Sequence, residues 1–163
     1  MTSNCKKQIN FWKPNEQYGF LGNWYRSPFT LYNIMFTNNE QYFMWKKQQL
    51  FDPENSSLEK KILETNNPKT IKDLGRLVQN FSQEIWDEKK YEIMKDGLEA
   101  KFSQNPELKI KLINTDNAIL VEASPYDTVW GIGLNAHDAQ TKKWRGQNLL
   151  GKALMDVRDK YKS

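Results

Sequence analysis

From Asn38 to Leu112 the chain is punctuated by helix-start and helix-stop residues, and nothing else in the sequence limits its fold as strongly. Asn38 or Asn39 suits the cap of a helix running to about Phe51, with Glu40 in the first turn, where the helix dipole favours an anion. Asp52-Pro53 stops that helix, because proline lacks the N–H and its ring clashes with the preceding turn. A second helix is expected over Ser57 to Thr65, with Ser56 or Ser57 as cap, and Asn67-Pro68 opens a third that ends near Gly75-Arg76. The longest runs from about Ser82 to Phe102. Trp86, Met94, Leu98 and Phe102 fall at multiples of four along it and form roughly one stripe, while Gly97 weakens it without breaking it. Pro106 starts a short helix through Leu112, and a last one from about Asn148 to Tyr161 turns Leu150, Leu154, Val157 and Tyr161 inward.

The strand signals are fewer. Residues 11 to 37 read as extended and turn-rich, with Tyr32, Ile34 and Phe36 alternating like one face of a strand. Residues 118 to 122 read as a strand, so Leu120 and Val121 close a short buried run and Glu122 and Asp127 ride on the tight loop after it. Residues 1 to 10 are polar and expected to be loose. With no internal repeat and no dividing linker, the reading is an α+β fold: one mostly helical domain over residues 11–163 with a small β-sheet. It is not a doubly wound nucleotide fold. Gly131-Ile132-Gly133 lacks the third glycine and the strand–turn–helix setting of a dinucleotide fingerprint, and no Walker motif occurs.

Composition narrows the function classes. A net charge of +4, with Lys and Arg spread along the chain, favours anionic partners such as phosphates, but Lys60-Lys61 and Lys142-Lys143-Trp144-Arg145 are too short for a nucleic-acid footprint. Cys5 is the one cysteine and His137 the one histidine, so neither a disulfide framework nor a Cys- or His-based metal site is expected, and no cofactor is implied. No apolar stretch approaches membrane length and the first residues lack a secretory h-region, so the expected compartment is cytosolic, without a membrane partner.

Glu40 and Lys47 stand seven residues apart on one expected helix. Seven residues turn about 700° and rise about 10 Å, so both project from nearly the same face and their long side chains can converge on one small ligand. A facing anion and cation shift each other's pKa and can divide acid and base work, although the same spacing also fits a solvated helix face. Trp86 suits either core packing or a wall for a flat heterocycle. Arg76 suits either a helix end or a phosphate, and Asn23 either a turn or a ligand hydrogen bond.

Several motifs agree in order and spacing: Phe20-Leu21-Gly22-Asn23-Trp24-Tyr25, Ser27-Pro28-Phe29, Glu40-Gln41-Tyr42, Lys47, Leu74-Gly75-Arg76, Trp86, Lys101-Phe102, Leu120 to Asp127, Trp130-Gly131-Ile132-Gly133, and Trp144 to Gly151. Together they resemble the YbiA-like NADAR family over roughly residues 11 to 160. The resemblance implies an N-glycosidase that cleaves the C–N bond of ribosylated nitrogen heterocycles. One implied substrate is a ribosylaminopyrimidine phosphate of riboflavin biosynthesis, releasing ribose 5-phosphate as a form of metabolite repair. The alternatives are an ADP-ribosyl-guanine glycohydrolase acting on ADP-ribosylated nucleic acid, or a module that binds ADP-ribose without cleaving it. Carried over by position, Glu40, Asp127 and Lys47 are the expected catalytic groups, and Trp86, Asn23, Arg76, Trp130 and Ser124 the expected substrate-binding ones. Arg26, Trp24, Gln41, Lys90 and Thr128 depart from the family pattern, the last two at positions that bear on a phosphate grip.

Overall fold

The computed structural model describes residues 6–162. Cys5 and the rest of residues 1–5 lie outside that range. In chain order the elements are β1 (Gln8–Phe11), a 3₁₀ turn (Gly19–Leu21), β2 (Phe29–Leu31), β3 (Ile34–Phe36), α1 (Asn39–Phe51), α2 (Ser56–Glu64), α3 (Pro68–Gly75), α4 (Gln83–Gln104), α5 (Pro106–Ile113), β4 (Ile119–Glu122) and α6 (Leu149–Lys160). The class is α+β and mostly helical, as the punctuation implies. Among the described residues the strands form two separate two-stranded sheets rather than one. The chain divides into two compact units, one of residues 23–105 and one joining the chain up to Gly22 to everything from Pro106 onward.

The central unit is built on α1, which packs against α2, α3 and α4. Side-chain caps set the helix starts: Asn38 accepts from Gln41 N–H, Asn55 from Leu58 N–H, Asn67 from Lys69 and Thr70 N–H, and Ser82 from Ile85 N–H. The cap of α2 is therefore Asn55 and not Ser56 or Ser57. Its amide carbonyl reaches the third helical N–H, and Ser56 already belongs to the helix. Two glycines let the helices close. A methyl on Gly97 would run into Asn39 Oδ1 and lie 2.6 Å from a Tyr42 ring carbon, and one on Gly75 would strike Met44 Sδ. Gly97 is thus a packing requirement in the middle of α4.

β2 and β3 form a hairpin closed by Tyr32 and Asn33, whose φ values are +53° and +62°. Positive φ at both central residues is the type I′ pattern, whose twist matches that of the strands. Tyr32 therefore sits in the turn and not on the strand face with Ile34 and Phe36, a correction that the alternation of side chains conceals.

In the other unit β1 runs parallel to β4, with Ile9 opposite Leu120 and Phe11 opposite Glu122. The expectation of a loose segment up to residue 10 is corrected here, since Gln8 to Asn10 are strand. Their polar letters mislead because only Ile9 and Phe11 face the core. α6 packs on β4 so closely that a methyl on Gly151 would strike the carbonyl oxygen of Leu120. Asn148 fastens the two by accepting from Glu122 N–H at 3.0 Å and donating to Leu120 O at 3.0 Å. Among the described residues no helix is long and apolar enough to cross a membrane.

Candidate active site

In the central unit, α1 carries Glu40 in its first turn and Lys47 two turns later. Glu40 is only 8% exposed, and its N–H donates to the backbone oxygen of Asn23 at 3.2 Å. Asn23 is held in turn by Asn39, whose Nδ2 donates to Asn23 Oδ1 at 2.9 Å and also meets Met94 Sδ at 3.2 Å. Asn23 thus reads as part of the brace around the start of α1, with its side-chain oxygen already engaged.

Lys47 Nζ donates to the carbonyl of Gly75 at 2.9 Å and stands 4.7 Å from the centre of the Phe81 ring. Burial pushes its pKa below the ordinary lysine value. The Glu40 carboxylate opposes that shift, and the Arg76 guanidinium adds slightly to it. Glu40 and Lys47 therefore act on each other electrostatically, as their spacing implies.

Trp86 is 7% exposed and sits in an aromatic cluster, with ring centres 4.9 Å from Phe43, 6.2 Å from Phe51 and 6.5 Å from Phe81. Phe81 joins the two groups, covering Lys47 on one side and meeting Trp86 on the other. It is 40% exposed, whereas Trp86 is almost wholly covered. Phe81 precedes the Ser82 cap and touches the fourth helical residue, Trp86, which is the hydrophobic-staple arrangement. That spacing was the available signal for Phe81, a neighbour of the site that reading for charged groups passes over.

Arg76 is exposed, pairs with Asp73 at 3.4 Å and gives its N–H to the last carbonyls of α3. Gln41, where the family often has histidine, is a buried tether. Its Nε2 donates to Ile62 O at 2.9 Å and Thr65 O at 3.0 Å, and its Oε1 accepts from Thr37 N–H at 2.8 Å. Lys90 is paired with Asp87 at 2.7 Å and holds that carboxyl below its usual range.

The other unit holds Ser124, Asp127 and Trp130 on the loop that follows β4. Asp127 Oδ1 accepts from Val129 N–H at 2.9 Å and Trp130 N–H at 2.8 Å. The carboxylate therefore shapes its own loop, and Oδ1 is committed to two backbone donors. Ser124 is buried against Gly131, where a side chain would collide with the carbonyls of Asp127 and Glu122. Gly133 takes a φ of +70°. The glycines of Gly131-Ile132-Gly133 are thus spent on folding the loop tightly upon itself.

Comparison with known proteins adds four findings. The NADAR domain family matches residues 10–162. The protein named N-glycosidase R617 of Acanthamoeba polyphaga mimivirus is 46% identical over 127 residues, covering 76% of this chain and 74% of that protein. The riboflavin biosynthesis protein VVA0006 of Vibrio vulnificus is 32% identical over 158 residues, covering 96% of this chain but 40% of that longer protein. Among solved structures, the E. coli protein YbiA superposes with a TM-score of 0.79 at 27% identity, covering 96% of this chain and 86% of that one.

Proposed function

This chain belongs to the NADAR domain family, and from that premise we propose that it is an N-glycosidase that hydrolyses the C–N bond of ribosylated nitrogen heterocycles. The observation that carries the reading is the pairing on α1. A nearly buried carboxylate, Glu40, and a half-buried amine, Lys47, influence each other beside the aromatic cluster of Trp86. Cleaving an N-glycosidic bond builds positive charge at the anomeric carbon and negative charge on the departing nitrogen. Glu40 is assigned the acid–base work, delivering a proton to that nitrogen and then activating water. One placed acid or base contributes about 10²–10⁴-fold.

Asp127 is assigned to the ribose hydroxyls or the attacking water through Oδ2, since Oδ1 holds the loop. Trp86 and Phe81 supply the flat apolar wall for the base, with Phe81 the more open of the two. Asn23, Ser124, Trp130 and Arg76 are assigned to binding, and the exposed guanidinium of Arg76 suits the substrate phosphate once it leaves Asp73. The favoured substrates are ribosylaminopyrimidine phosphates, in keeping with the Vibrio relative's name as a riboflavin biosynthesis protein.

One observation favours a second course, cleavage of ADP-ribosyl-guanine through Lys47. Its lowered pKa increases the neutral amine available for attack on the sugar carbon. In that course the amine bonds to the anomeric carbon as the base departs with a proton, the sugar ring opens to a Schiff base that borohydride can reduce, and water later releases the sugar. Offering the purified chain both substrate types and following free base and sugar by mass spectrometry separates the two. Borohydride present during turnover traps a sugar on Lys47 only in the second course. Binding of either compound without sugar release refutes the enzyme assignment in favour of a binding module.

A further inference from the structure

The unit that contains β1 and β4 also holds a cleft of about 510 Å³ unrelated to any residue assigned above. Lys6, Lys7 and Lys111 line it, Asp116 is the one acid on its wall, and Tyr18 and Phe20 contribute rings. Lys6, Lys7 and Lys111 are exposed, and Lys111 Nζ stands 5.6 Å from the centre of the Phe20 ring on the same wall. Asn114 and Asn117 add amide groups to the same wall.

A fourth cation is hydrogen-bonded to the cleft wall. Arg158 is 4% exposed and donates from Nη1 at 2.8 Å to the hydroxyl of Thr115, a residue of the cleft wall. Its Nε is buried with no hydrogen-bond partner. A buried guanidinium with an unsatisfied donor gains from negative charge brought nearby, because the surrounding protein screens poorly. At the rim, Lys162 is already engaged by Asp116 O and Asn117 Oδ1, so it is not counted among the available charges.

We propose that this cleft is a second ligand site, distinct from the glycosidase machinery, which binds a phosphate-bearing anion of nucleotide size. Three exposed ammonium groups and a buried guanidinium bonded to the wall outnumber the carboxylates that face them, Asp116 on the wall and Asp159 beside Arg158, and so favour a multiply charged anion. The volume falls within the ordinary range for small-molecule sites, and the half-buried Tyr18 ring offers a face to a planar base. Lysine suits this role because it meets phosphate as a point charge without requiring fixed bidentate geometry.

The test is titration of the full-length, isotope-labelled chain with ADP, pyrophosphate and adenosine, followed by backbone amide NMR. The wild type is compared with Lys7→Gln/Lys111→Gln and with Glu40→Gln. Both ADP and pyrophosphate are expected to move the Tyr18, Asn114 and Asn117 amides saturably in the wild type and in Glu40→Gln. The double lysine variant, whose changes are exposed and leave the core intact, should weaken that binding about ten-fold or more. Adenosine alone should bind much more weakly. The proposal is overturned if these amides do not respond to ADP or pyrophosphate, if adenosine binds as well as ADP, or if the double variant binds as the wild type does. Retention in Glu40→Gln keeps this result separate from the fate of the glycosidase assignment.

Discussion

Replacing Gly97 by alanine tests how the start of α1 is positioned. On an open helix this change stabilises by about 1 kcal/mol, because glycine is the poorer helix former. Here the added methyl meets Asn39 Oδ1 and comes within 2.6 Å of a Tyr42 ring carbon, about 1 Å inside ordinary carbon contact. Tyr42 and Asn39 are both completely buried, so neither can swing aside into solvent. Overpacking of this kind costs about 1–3 kcal/mol. Displacing Asn39 also strains its 2.9 Å bond to Asn23, worth about another 1 kcal/mol. Set against the propensity gain, the net loss is about 1–3 kcal/mol, read as a lower urea midpoint at unchanged slope. Because Asn39 adjoins Glu40, sugar release should fall as well. Displacements near 1 Å at a reacting group cost up to about 10²-fold. A Gly97→Ala chain that is as stable and active as the wild type would refute this account of the α1–α4 contact.

Three further outcomes are expected. Asp127→Asn should keep the loop, because its amide oxygen still accepts from Val129 and Trp130, whereas Asp127→Ala should lose about 1 kcal/mol. If thermal melts confirm that order and Asp127→Asn still turns over normally, the carboxylate is only a cap. Phe81→Ala should raise the Lys47 pKa toward its ordinary value by admitting water, with Trp86 left in place. A titration of the Lys47 side-chain resonances that shows no upward movement would count against Phe81 as its cover. Lys101 is fully buried on α4, and burial lowers its pKa from 10.5 to about 7. Between those values the unfolded chain binds more protons than the folded one, so this residue makes stability rise with pH across the window. Lys101→Met should flatten that slope in urea denaturation at the two ends of the window, and an unchanged slope would contradict the assignment.

The helices were legible because their boundaries are local chemistry. Asn38 and Asn67 announce their roles within a few residues of sequence and the structure places each as a cap, while Ser82, at the expected start of the long helix, caps α4 from just outside it. The stripe of Trp86, Met94, Leu98 and Phe102 is buried throughout, as its spacing implies. What stayed hidden depends on distant partners or on backbone angles. β1 is four residues long and makes sense only beside β4, more than a hundred positions away. The left-handed pair Tyr32-Asn33 looks like ordinary strand when letters alone are read. At the site, helical spacing was enough to couple Glu40 to Lys47. It gave no view of Phe81 over the amine, of Asn39 gripping Asn23, or of the two backbone donors that occupy one oxygen of Asp127.

The glycosidase assignment is tested most directly by the yield of free sugar from a ribosylaminopyrimidine phosphate, measured side by side for the wild type and Glu40→Gln. The swap is nearly isosteric and removes only the ionisable group. The wild type should release ribose 5-phosphate and free base catalytically, and the folded variant should be slower by about 10²–10⁴-fold. Equal yields from the two proteins, or no sugar from the wild type with this substrate and with ADP-ribosylated guanine, would contradict it.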